Sequence, residues 1–277
     1  MRAGPSSPVT SHDRLQRLHR NGFCRGRTKL SGSRRAAAAS GFTAVEIWDW
    51  RNKPLADMRE ALAENDTELH TLCVETWQDK CQLGDPGSHT RFLERVRRAA
   101  EVALNLKTPK LVVLGGDRVE GRSEAAQYDA LLTALDAAAD AILGSGLQLL
   151  FEVVNRQFEG PNALVQDSRT ALGLLRRFDR HDVRFLYDRY HAILNGEALG
   201  WAVEGNMDLV GHIQAADIPG RHEFGSGQID WTNELSWLNK AGYNGMIGIE
   251  AEPICDSTQL YAGAQRLLRG SLLAGSI

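Results

Sequence analysis

The sequence predicts an α/β protein built as a single parallel (β/α)8 barrel, and three observations lead there. The chain has 277 residues, enough for one large core, and barrels of about 250 residues are usually single domains. From residue 41 onward, short apolar and β-branched runs alternate with longer amphipathic stretches, an order that right-handed crossovers turn into a parallel sheet. The last four of those runs carry polar residues at their ends, where barrels of this kind build their sites. A doubly wound open sheet is the alternative, but no GxGxxG follows any early strand.

Seven strands are expected after residue 41: Thr43–Trp48, Glu68–Val74, Lys110–Gly115, Leu147–Val153, Val183–Asp188, Leu209–Ala215 and Met246–Ala251. Between them the helical spacing is clearest in Thr90–Leu106, where Phe92, Leu93, Val96, Ala99, Ala100, Ala103 and Leu104 share one face. Further helices are expected over Ser123–Leu143, Asp167–Phe178, Trp231–Ala241 and Thr258–Arg269, with Gly242 placed to end one of them in a left-handed cap. Seven strands leave the barrel one short. The missing first strand should precede the helical stretch Arg34–Ser40, within Leu18–Leu30. With Arg25, Arg27 and Lys29 that window makes a poor buried strand, so the first strand is expected to be atypical or poorly formed.

Charge divides the chain. Residues 1–40 hold nine Lys/Arg against the single acid Asp13, a net +8 that leaves −11 for residues 41–277 of a chain whose formal charge is −3. A basic, Ser-containing, acid-poor segment has the character of a transit peptide, of a nucleic-acid arm or of a plain solvated leader, and it lacks a secretory apolar core. The division expected is a basic, poorly ordered or atypical leader over 1–33 and a barrel domain over 34–277. No apolar run approaches the roughly 20 residues that cross a bilayer. The cysteines Cys24, Cys73, Cys81 and Cys255 show no CxxC spacing and read as reduced thiols, which suits the cytoplasm.

Chemistry is expected at the strand ends. The fifth strand closes on Glu152, followed by Asn155 and Arg156; the sixth closes on Asp188, with His191 three residues on. His212 and Gln214 share one face of the seventh by period two, and the eighth runs to Glu250. A lone strand-end acid is more often a surface residue or a helix cap. Carboxylate, carboxylate, amide and carboxylate on four successive strands is another matter, because burying three acids in a barrel mouth is costly without a cation. Oxygen donors of this kind suit a hard ion, Mg²⁺ or Mn²⁺.

The run His212-Ile-Gln-Ala-Ala-Asp-Ile-Pro-Gly-Arg221-His-Glu-Phe-Gly-Ser-Gly-Gln-Ile-Asp230 resembles the hydroxypyruvate isomerase family, which includes 2-oxo-tetronate isomerases and belongs to the xylose isomerase-like TIM barrels. Ala44-Val-Glu-Ile-Trp-Asp-Trp50, Tyr187-Asp-Arg-Tyr-His191 and Gly242-Tyr-Asn-Gly-Met-Ile-Gly-Ile-Glu250 match as well, over residues 36–270 in all. The resemblance implies that Glu152, Asp188, Gln214 and Glu250 ligate the metal. Glu152 and Glu250 would double as the proton-transfer pair, and His191, Arg221, Asn155 and His212 would hold the substrate. It implies a small 2-oxo or hydroxy acid as substrate, such as hydroxypyruvate giving tartronate semialdehyde, with the proton moved between neighbouring carbons through an enediolate.

This sequence departs from the family pattern after Glu152, where Val153-Val154-Asn155-Arg156 replaces a proline followed by Asn-Thr-Arg. The aromatic after Pro161 is missing, and Phe224 stands where proline is common. These positions face substrate, so its identity stays open. The alternatives are a ketose 3-epimerase or inosose-processing enzyme of the same superfamily, an endonuclease IV-like metal nuclease, and an inactive barrel. Gln214 in place of a second histidine argues against the epimerases, and eight histidines in all argue against a His-rich nuclease centre. The partners expected are a small molecule and further copies of the chain in a homodimer or tetramer, with neither nucleic acid nor membrane.

Overall fold

The computed structural model describes residues 17–20, 42–252 and 254. Eight parallel strands follow one another around a closed barrel: β1 (Arg17–Arg20), β2 (Ala44–Ile47), β3 (Glu68–Cys73), β4 (Lys110–Leu114), β5 (Gln148–Glu152), β6 (Val183–Asp188), β7 (Val210–Ala215) and β8 (Ile247–Ile249). The α-helices among the described residues are α1 (Leu55–Glu64), α2 (His89–Leu106), α3 (Glu124–Ala141), α4 (Ser168–Phe178), α5 (Arg189–Leu194) and α6 (Trp231–Lys240). None is long and apolar enough to cross a membrane.

The strands and helices expected between residues 43 and 251 all form, with bounds within two residues of those read from the pattern. Gly242 takes a left-handed φ of +86° just past α6, as a C-terminal glycine should. The helix expected at Thr258–Arg269 and the helical stretch Arg34–Ser40 lie outside the described residues. Two helices were not anticipated. In α1 only Met58 and Leu62, one turn apart, are fully buried, too thin an apolar stripe to stand out. The other, α5, is a short helix started by a side-chain cap on Asp188, which apolar periodicity does not report.

The first strand is short and atypical in sequence, as expected, and it is paired on both sides. Leu18 and His19 pair with Ala44 and Val45 of β2 on one side and with Gly248 and Ile249 of β8 on the other. Ladder hydrogen bonds are made by the backbone, so a basic sequence can complete a barrel whose neighbouring strands present open edges. The barrel therefore takes one strand from within the basic segment 1–33. Arg25, Arg27 and Lys29 lie outside the described residues.

Alternation along each strand separates two interiors. Outward residues such as Leu111, Val113, Leu149, Phe151, Phe185, Tyr187, Ile213 and Ile249 pack with the buried faces of the helices in one large core. Inward residues form a small apolar plug of Cys73, Val112, Leu150 and Leu186, with Trp48 against it. On that inner side the polar residues Glu46, Thr71, His212 and Gln214 are also fully buried. A register shift between Val45 and Glu46 sets Thr71, rather than His70, opposite Glu46, the kind of re-aiming a bulge achieves.

The short helix α5 is anchored by a buried ion pair. Arg189 donates from Nε and Nη2 to both carboxylate oxygens of Glu234 on α6, each at 2.9 Å, and from Nη1 to the Glu197 carbonyl at 2.9 Å. This fork ties the helix that carries His191 to the barrel wall. Removing one partner of a buried pair strands the other charge, so Arg189→Ala is expected to cost about 3–5 kcal/mol of unfolding free energy. Urea denaturation measures it, and a loss below about 1 kcal/mol, the worth of an exposed pair, would show that the pair does not anchor α5.

Candidate active site

Four strand ends deliver acidic and amide groups to one mouth of the barrel. Glu152 ends β5, Asp188 ends β6 and Gln214 is the penultimate residue of β7. Glu250 follows β8 and extends its ladder, donating its backbone N–H to the Ala215 carbonyl at 3.1 Å. All four side chains are buried. Each residue therefore sits on rigid backbone, and its direction is set by the period-two pleat rather than by a loop.

Asp188 has two tasks. Its Oδ1 caps α5, accepting the backbone N–H groups of Tyr190 at 2.8 Å and His191 at 3.4 Å. Its Oδ2 turns into the mouth, 3.5 Å from His191 Nε2 and 3.3 Å from Arg221 Nη2. Because the cap and the site share one carboxylate, the start of α5 and the position of His191 are fixed together.

His191 Nε2 lies 3.7 Å from Glu152 Oε1 and 3.7 Å from Glu159 Oε2. The ligand atoms of Glu152, Asp188 and His191 all lie within 4.8 Å of one another, so these three residues could geometrically hold a metal ion. The other ring nitrogen decides what His191 does. Asn155 Oδ1 accepts the backbone N–H of Phe158 at 2.8 Å, which fixes its amide so that Nδ2 faces His191 Nδ1 at 2.9 Å. An NH₂ group can only donate, so Nδ1 is the acceptor and a neutral ring carries its proton on Nε2. That proton points among the carboxylates, which makes His191 a donor in the mouth rather than a ready ligand.

Arg221 reaches the mouth from the turn after β7. Gly220 and Arg221 take left-handed backbone, φ +97° and +61°, which costs an arginine roughly 1–2 kcal/mol. The turn is held by the buried Asp217, whose carboxylate accepts N–H groups of Ile218, Gly225, Ile229 and the Trp231 indole at 2.8–3.2 Å. The guanidinium then meets three acids: Glu159 Oε1 at 2.9 Å, Asp188 Oδ2 at 3.3 Å and Glu250 Oε1 at 2.5 Å. It faces the rings of Tyr190 at 4.8 Å and Trp48 at 5.5 Å, contacts that favour a cation over an aromatic face.

Gln214 is the residue whose surroundings speak most directly for a cation. Its Nε2 donates to Glu46 at 3.2 Å and 3.3 Å, while its buried Oε1 has no hydrogen-bond partner among the described residues. A buried acceptor left unmade costs about 1–3 kcal/mol. Three carboxylates and an orphaned amide oxygen at one mouth fit a hard, oxygen-preferring divalent ion.

The described residues line an open cavity of about 560 Å³ at this mouth, with Trp48, Trp77 and Tyr190 on its wall and Glu152, Arg221 and Glu250 on its polar side, while Asp188 and Gln214 lie outside its lining. Of the residues expected at the substrate, His191 and Arg221 line it, whereas Asn155 and His212 do not. Asn155 spends its amide on His191 and on the turn that follows. His212 is buried beneath, its Nε2 2.8 Å from Glu46 Oε1, and burial pushes its pKa down to about 4, so the ring is neutral. Two acids went unassigned in the sequence. Glu46 had a visible signal, a carboxylate inside the apolar run Ala44–Ile47; Glu159 had none, since its loop carries no periodicity.

Fold and mouth together define a barrel of the xylose isomerase-like class. The chain belongs to the xylose isomerase-like TIM barrel family, whose sequence model matches residues 34–270. Within it the chain groups with the hydroxypyruvate and 2-oxo-tetronate isomerases. It is 34% identical over 234 residues to a putative hydroxypyruvate isomerase of Streptomyces coelicolor, covering 79% of this chain and 84% of the relative. It is 30% identical over 225 residues to the 2-oxo-tetronate isomerase of Pectobacterium atrosepticum, covering 79% and 85%. Among solved structures, a family 2 AP endonuclease from Brucella melitensis superposes with a TM-score of 0.82 over 92% of this chain and 98% of its own, at 22% identity, a likeness of fold.

The hydrogen-bond pattern around His191 makes a direct prediction. Long-range ¹H–¹⁵N NMR of histidine-labelled protein should report the neutral His191 ring as the Nε2–H tautomer. Asn155→Asp, which offers only acceptors, should shift it toward Nδ1–H. A wild-type ring protonated on Nδ1 would contradict the assignment.

Proposed function

We propose that this protein is a divalent-metal-dependent isomerase that interconverts the carbonyl and hydroxyl positions of a small 2-oxo or hydroxy acid, hydroxypyruvate to tartronate semialdehyde or a 2-oxo-tetronate. The observation that carries the reading is the placement of two buried glutamates, Glu152 at the end of β5 and Glu250 just after β8, at a mouth that also holds Arg221 and His191. The names of its relatives point to the same chemistry.

Glu152, Asp188, Gln214 and Glu250 would hold the metal, Mg²⁺ or Mn²⁺. When bound, such an ion polarises a carbonyl and makes the neighbouring C–H more acidic. The residues of the chain divide the remaining work. One glutamate takes the proton from the hydroxyl-bearing carbon, and the other supplies a proton to the former carbonyl carbon; the hydroxyl proton passes between the two oxygens, so atoms balance. His191 donates from Nε2 to a substrate oxygen, and Arg221 offers its fork to the carboxylate. Trp48 and Tyr190 hold the guanidinium and keep water from the reacting carbons.

Removing a positioned proton-transfer group costs typically 10²–10⁴-fold. Glu152→Gln and Glu250→Gln should each lower kcat on hydroxypyruvate or a 2-oxo-tetronate by at least about 100-fold at saturating Mg²⁺. Turnover of Glu250→Gln at the wild-type rate would contradict the two-glutamate mechanism. Wild-type activity on free ketoses with none on 2-oxo acids would move the substrate class instead.

A further inference from the structure

Below the mouth lies a carboxylate that the proton transfer does not use. Glu46 is fully buried on β2. Thr71 Oγ1 donates to its Oε1 at 2.8 Å, His212 Nε2 lies 2.8 Å from the same oxygen, and Gln214 Nε2 approaches both oxygens at 3.2 Å and 3.3 Å. The chain makes room for it: a Cβ at Gly248 would stand 2.3 Å from Glu46 Oε2, so only glycine admits the carboxylate against β8. Thr71 on β3 and Gln214 on β7 thus donate to one carboxylate from two sides, with the His212 ring against it.

An amide can be turned end for end at little steric cost, and a turned Gln214 would present NH₂ where an oxygen is needed. A carboxylate that only accepts forbids the turn. We infer that Glu46 is a positioning residue: it holds the Gln214 amide by its NH₂ group and thereby fixes Oε1 as the atom offered to a divalent cation. The inference rests on the reading of Gln214 as a metal donor. Partners of this kind orient ligands that would otherwise have two faces. The register shift that sets Thr71 opposite Glu46 serves the same end, since its hydroxyl pins the carboxylate from the other side.

The test is Mn²⁺ affinity of the full chain, read as the free-ion EPR signal, for wild type, Glu46→Gln, Gln214→Ala and the double variant. Glu46→Gln keeps the shape but lets the two amides pair in either sense, and should weaken Mn²⁺ binding about 10–100-fold. In the Gln214→Ala background the same change should have no more than about a two-fold effect, because the residue it acts through is gone. Wild-type affinity in Glu46→Gln overturns the inference. So does an equal loss in both backgrounds, which would mean that Glu46 acts through its charge alone. Should Glu46→Gln fail to fold, Thr71→Val removes one of the donors that pin the carboxylate, and it should weaken Mn²⁺ about three-fold in wild type and not in Gln214→Ala. If Gln214→Ala binds like wild type, or wild type binds no Mn²⁺, the metal reading itself has failed and takes this inference with it.

Discussion

Glu152, Asp188 and Glu250 are brought out of water at one mouth of the barrel, and the surrounding structure is arranged around keeping that arrangement bearable. An unpaired buried carboxylate is among the most costly things a fold can contain. Arg221 answers part of the charge by touching Asp188 and Glu250 with one nitrogen and Glu159 with another. Holding a guanidinium there requires its own support: the left-handed turn at Gly220 and Arg221, the Asp217 carboxylate gathering four N–H groups, and the rings of Trp48 and Tyr190.

The same demand runs down the barrel. Asp188 caps α5 with one oxygen and serves the mouth with the other, so the helix bearing His191 cannot move without disturbing the acid. Asn155 then sets which nitrogen of His191 carries the proton. Beneath them, Glu46, Thr71 and Gln214 form a layer of buried polar groups inside the barrel, beside the apolar plug of Cys73, Val112, Leu150 and Leu186. Such layers stiffen a site when each group is satisfied. Gln214 Oε1 makes no hydrogen bond among the described residues, which suits it to the cation proposed above.

Much of this was legible in the sequence, for physical reasons that differ by element. Strands β2 to β8 announce themselves because their outward residues pack on helices and many inward ones fill the barrel, so most positions are apolar, and in β5, β6 and β8 a carboxylate closes the run. Glu152, Asp188 and Glu250 could be read as strand ends for that reason. The strand β1 could not: Arg17–Arg20 has no apolar pattern, and its place comes from backbone pairing to β2 and β8. Asn155 and His212 were expected at the substrate from the family resemblance, and neither lines the cavity at the mouth. In the fold Asn155 meets His191, 36 residues further along the chain, and His212 meets Glu46 on another strand, neighbours that only folding supplies.

The central claim is that the ends of β5, β6, β7 and β8 converge on one divalent cation through oxygen atoms. Anomalous diffraction from crystals soaked in Mn²⁺ tests it most directly. The account predicts a single strong peak contacted by Glu152, Asp188, Gln214 Oε1 and Glu250, with His191 Nε2 outside the coordination sphere. A peak bound by His191 in place of Gln214, or no peak at this mouth, would contradict it.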